Sequence, residues 1–175
     1  MAGAGRIIVG VHGSLGSLQA LRYAADLARE RGVPLIAVLC WVPPGGDLAE
    51  RSHPSPFLRE IWQNAAWERL HGAFDEGLGG VPADIRVQQR VGRGEPGLVL
   101  ADFVSQPGDL LVIGTGRRTF TGRLLRKSVG HYLLAHARCP VVAVPPSALM
   151  EEVEHGFWPR RRRPTVSDIS EMTGK

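Results

Sequence analysis

Cysteine, lysine and aromatic residues are what this 175-residue chain has least of: two Cys, two Lys and 6% Phe, Trp and Tyr together. Two thiols cannot make a disulfide framework. Cys40 and Cys139 each lie in or beside an apolar run, so both are expected to be buried free thiols. No apolar run approaches the roughly 18 residues that span a bilayer. The opening MAGAGRIIVGV lacks the long apolar core of a signal peptide and passes directly into a strand pattern. The expectation is a cytoplasmic protein with no membrane contact. A more local absence is that of acid from residues 113–130, IGTGRRTFTGRLLRKSVG, which hold four glycines, four arginines and one lysine. Such an excess of positive charge can attract nucleotide, phosphate or nucleic acid. With no series of interleaved aromatics and no reading motif, nucleic acid is the weakest of the three.

What is present reads as one domain of ordinary globular composition, 43% hydrophobic and 22% charged. Residues 6–11 (RIIVGV) and 34–41 (PLIAVLCW) are apolar runs of strand length. Between them Ser14 or Ser17 offers an N-cap, Leu18, Leu21, Ala25 and Ala28 recur at helical spacing, and Gly32 ends the helix. Residues 43–56 are rich in breakers and read as a loop. Leu58, Ile61, Trp62, Ala65, Leu70 and Phe74 then form a long amphipathic stripe, with Trp62 in the core. Trp67 lies off that stripe and is a candidate for a dimer or partner surface. Residues 85–91 (IRVQQRV) alternate as a strand near a sheet edge would. GRGEPG opens another helix, ending at Pro107-Gly108. LLVIG is the next strand, followed by the glycine- and arginine-rich loop, a helix to about Arg138 and the strand PVVAVP. Continuous apolar strands separated by helices predict an α/β fold, a parallel sheet covered on both faces. Ligands of such sheets bind beyond the carboxyl ends of the strands. Two loops compete for that position, VHGSLGS after the first strand and IGTGRR after the fourth.

Residues 147–175 differ in character: an acidic cluster, then Arg160 to Arg163, then a Ser/Thr-rich end. They predict a flexible or partner-docking extension, with Phe157 and Trp158 as anchors. Elsewhere, Ser14 and Ser17 are helix caps and not nucleophiles. His131 and His136 stand five apart with no Cys or acid nearby, a poor metal-ligand spacing. Neither a catalytic centre nor a metal site is legible.

The segments IIVGVHGSLGSLQALRYAADLARERGVPLIAVLCW, RGEPG, DLLVIGTG and KSVGHYLLAHARCPVVAVP together resemble a universal stress protein of the UspA family, single-domain type. The resemblance covers about residues 5–146 and implies a domain of residues 1–146 with a C-terminal charged extension, 147–175. It implies a five-stranded parallel sheet in the order 3-2-1-4-5, Rossmann-like and of the adenine nucleotide alpha hydrolase type. It also implies a homodimer built on the last strand, Val141, Val142, Ala143 and Val144. Members of the family that bind ATP resemble one another in an Asp of the first βα loop and a Gly-x2-Gly-x9-Gly-Ser/Thr pattern after the fourth strand. Here Gly114 stands at the first glycine, Arg117 at the second, Lys127 at the third, Ser128 at the hydroxyl and His12 at the Asp. Adenine would meet backbone near Val11 and Cys40. With two glycines and the acid changed, the resemblance implies ATP or another adenine nucleotide held more weakly than in a member with the full pattern.

Glycine in a phosphate loop supplies positive φ or lets an anion touch the backbone. Arg117 can replace that contact with a guanidinium fork, or lie across the pocket and exclude the ligand. Were the anion site kept, Arg117, Arg118 and Lys127 would donate charge, and Ser128 with the amides of Gly114, Thr115 and Gly116 would complete the cradle. His12 exchanges a carboxylate for an imidazole with one donor and one acceptor, which either alters ligand selection or is a plain loop histidine. The function expected is regulatory or protective and non-enzymatic, in a homodimer with a modified nucleotide or anion pocket. The alternative is a dimeric interaction module with a closed pocket, acting through its surface and a protein partner of the tail.

Overall fold

The apolar run at the amino end forms β1 (Ile7–Val11), the central strand of the sheet. A computed structural model of the protein describes residues 5–115, 129–145 and 147. Strands β2 (Leu35–Trp41), β3 (Val87–Arg93), β4 (Leu110–Gly114) and β5 (Val141–Val144) all pair parallel, in the order β3-β2-β1-β4-β5. The helices are α1 (Leu15–Arg31), α2 (Gly46–Ser52), α3 (Pro56–Leu78), α4 (Pro96–Phe103) and α5 (Val129–His136). Alternation along the strands divides the core into two layers. Ile7, Val9, Val11, Ala37 and Leu39 meet α1 and α3, while Ile8, Ile36, Val38, Leu111 and Ile113 meet α4 and α5. The sheet is Rossmann-like, with helices on both faces. No helix of the described residues is long and apolar enough to cross a membrane.

Local chemistry sets the ends of α1. Ser14 Oγ accepts the Ser17 amide at 3.3 Å, and Gly32 closes the helix with φ +63°. Alanines at 20, 24, 25 and 28 are buried and let the helix lie close to β1 and β4. At the amino edge of the sheet Asp109 is buried. It accepts from Arg6 Nε at 2.9 Å and Nη2 at 2.5 Å, and from the Ser105 and Gln106 amides. Burial pushes this carboxyl up, but the Arg6 hydrogen bond, the Gln106 amide and the Arg6 charge together hold it below the usual range.

Three expectations need correction. The breaker-rich stretch 43–56 contains α2, because Glu50 is buried and bonded to Arg59 Nε at 2.8 Å and to Arg93. The third strand runs two residues further along the chain than its alternation suggested, since the ladder pairs Leu35 with Val87 and Trp41 with Arg93. Helix α3 buries Ala66, Leu70, Ala73, Phe74 and Gly77, whereas Leu58 and Ile61 are exposed. Trp62 is partly buried and packs against the core, its ring 6.4 Å from that of Trp41. Trp67 is also partly buried and packs against this core.

Candidate functional site

The carboxyl ends of β1, β2 and β4 bring the two candidate loops together. After β1 the chain turns at Gly13, φ +85°, and starts α1 on Ser14. The His12 amide donates to Ser17 Oγ at 3.3 Å, and Ser17 Oγ donates to the Ser14 carbonyl at 2.9 Å. His12 Nε2 lies 3.2 Å from Ser14 Oγ. Either partner can donate in this contact, and the exposed imidazole can offer an N–H donor where a carboxylate would offer only acceptors. The histidine is thus bound into the cap of α1.

Gly114 ends β4 directly beneath this cap. A Cβ at Gly114 would stand 2.3 Å from the Gly16 carbonyl oxygen and 2.8 Å from the Ser17 nitrogen. Its φ is not positive, so space and not backbone conformation calls for glycine here. The Thr115 amide and hydroxyl both donate to the Val144 carbonyl, at 2.8 Å and 3.1 Å. They tie the loop to the end of β5. Gly116, Arg117, Arg118, Lys127 and Ser128 lie outside the described residues.

Between the loops is a cavity of about 200 Å³. Val11, His12, Cys40 and Gly114 line it, and so do Val38, Pro96, Leu100, Ile113 and Val129. Among the described lining residues only His12 and Cys40 carry polar side-chain atoms, and none is a lysine or arginine. Burial pushes the Cys40 thiol up to about 12, so it is neutral and a poor nucleophile at pH 7. Cys40, expected to be fully buried, is only partly buried and belongs to the cavity wall. Cys139, also partly buried, donates to the Pro140 carbonyl. The described part of the cavity is apolar, with one imidazole in its wall. Charge for an anion would have to come from residues 116–128. The apolar wall was missed in the sequence because its members come from four separate elements. One signal was available: Gly10 sits inside a strand, and a Cβ there would meet Leu100 Cδ1 at 2.9 Å.

His131 and His136 lie on α5. The His136 ring stacks on Tyr132 at 4.2 Å, and no group of three metal-binding side chains occurs among the described residues. On β5, Val141 and Val142 are half-buried, Ala143 is exposed and Val144 is buried; within the described chain the strand pairs only with β4.

Comparison with known proteins agrees with this architecture. The family model described as "Universal stress protein family" matches residues 3–145. A universal stress protein of Mycolicibacterium smegmatis is 31% identical over 146 residues, 80% of this chain and 45% of that protein. The chain thus spans less than half the length of that relative. The crystal structure of a universal stress protein in complex with cAMP is similar at 26% identity and a TM-score of 0.50, over 82% of this chain and 98% of the other. Universal stress protein UspA from Lactobacillus plantarum shares the fold at 22% identity and a TM-score of 0.61, over 82% and 99%. On the sheet order, the cavity at its carboxyl edge and these matches, the chain belongs to the universal stress protein family.

Proposed function

We propose that the protein is a non-enzymatic regulatory or protective universal stress protein of the cytoplasm, acting as a homodimer with a modified nucleotide pocket. The observation that carries this reading is the apolar cavity at the ends of β1, β2 and β4, with Val11, His12, Cys40 and Gly114 in its wall. It suits the base of an adenine nucleotide, and the relative solved with cAMP supports that ligand class. The phosphates would then lie toward the loop carrying Arg117, Arg118, Lys127 and Ser128. Dimerisation would pair the open edge of β5, residues Val141 to Val144, and remove an aggregation-prone strand edge. A monomer mass in light scattering at micromolar concentration counts against that assembly.

Thermal melts with cAMP, AMP, ATP and inorganic phosphate test the pocket. A ligand at a hundred times its Kd stabilises the native state by about 2.7 kcal/mol, or ~5–10 °C for a domain of this size. In the triple variant His12→Asp, Arg117→Gly and Lys127→Gly, ATP should bind more tightly than in the parent. A second reading has its own support, since Gly114 and Thr115 already serve packing and β5 anchoring. If no nucleotide or anion shifts the melt, the pocket is closed and the protein is an interaction module.

A further inference from the structure

Helix α3 carries apolar residues on two opposite faces. At 3.6 residues per turn, Ala66, Leu70, Ala73 and Phe74 point to the core, and Phe57, Ile61, Asn64 and Glu68 form the outward stripe. Phe57 is 70% exposed, Ile61 45% and the adjoining Leu58 42%. Three large apolar side chains within five residues make a patch where one alone would be unremarkable. Glu60 and Glu68, both exposed, border it and have no ion-pair partner among the described residues. The outer face of α3 therefore reads apolar in its first turns and acidic alongside and beyond.

We propose that the C-terminal segment of this chain docks on that face, Phe157 and Trp158 against Phe57, Leu58 and Ile61, and Arg160 to Arg163 against Glu60 and Glu68. The order of chemistry in FWPRRRR, two aromatics followed by four cations, complements the order along the helix. Position and reach also fit. Glu50 bonds both Arg59 in the first turns of α3 and Arg93 at the end of β3, which fixes the patch at the carboxyl edge of the sheet. The chain leaves β5 at that same edge, after Val144. Four strand spacings separate β5 from β3, about 19 Å, while residues 147–157 can span about 33 Å when extended. About 14 Å of slack remains for the climb from the sheet onto the helix layer.

The test uses the full chain and two double variants, Phe157→Ala with Trp158→Ala in the tail and Phe57→Ser with Ile61→Ser on the helix. Hydrogen exchange over residues 58–65 should quicken at least fivefold in the tail variant. Trypsin cleavage at Arg160 to Arg163 should quicken in the helix variant, and both effects should be independent of protein concentration. The tail variant leaves the described fold untouched, so its exchange result stands even if the helix variant folds poorly. Exchange unchanged by the tail substitution overturns the proposal. Protection of residues 58–65 that fades on dilution also overturns it, by assigning the patch to a second copy of the chain.

Discussion

Replacing Gly114 by alanine would set a methyl carbon 2.3 Å from the Gly16 oxygen, 2.5 Å from its carbonyl carbon and 2.8 Å from the Ser17 nitrogen. All three are main-chain atoms of the first turn of α1, so no side chain can rotate away. Relief requires α1 to lift from β4, or the end of β4 to leave its ladder with β5. Overpacking typically costs ~1–3 kcal/mol, and a clash of main chain on both sides belongs at the upper end, about 3 kcal/mol. At ~2–4 °C per kcal/mol for a domain of this size, the ligand-free melting temperature should fall by about 6–12 °C. Gly10→Ala is the internal control. Its Cβ would meet only the tip of Leu100 at 2.9 Å, which can turn aside, so about 1 kcal/mol and ~2–4 °C are expected. Calorimetry of the three ligand-free proteins decides the matter. If Gly114→Ala melts within about 2 °C of the parent, the glycine is not a packing requirement. Its place in the family pattern would then have to be explained by ligand contact alone.

Two further outcomes follow from the buried groups. Asp109 has a folded-state pKa held below its unfolded value. Its contribution is present above the unfolded value near ~4 and is lost as pH falls through the folded one, so acid titration of the melting temperature should show this loss below about pH 4. Asp109→Ala should abolish that acid-side dependence and cost about 3 kcal/mol at pH 7, by leaving Arg6 and two amides without their acceptor; a loss under ~1 kcal/mol in urea denaturation contradicts it. Cys40, with its thiol at about 12, should alkylate about a hundredfold more slowly than a free cysteine at pH 8, timed by mass spectrometry. Labelling at the free-cysteine rate would mean that the cavity wall is open to water.

The order of elements and the edge position of β3 were legible in the sequence, because each rests on local pattern. Apolar runs bounded by Ser, Gly and Pro set strands and helix ends over a few residues, and parallel strands joined by helices leave few topologies. Val11, His12, Cys40 and Gly114, which line the cavity, were named through the family resemblance, while the sheet rule pointed only to the loops after β1 and β4. Tertiary structure decided what those patterns leave open. The stripe on α3 could not show which of its apolar residues meet the sheet, since rotation of a helix is set by its neighbours: Ala66 and Leu70 are buried and Leu58 and Ile61 are not. Helix α2 exists in a run of breakers because Glu50 finds two arginines, one of them 43 residues away in the chain. The motif glycine at 114 could be read as a phosphate contact until the backbone of Gly16 was found against it. A single sequence records which residue stands at a position, but the space around that residue is fixed only when distant segments pack.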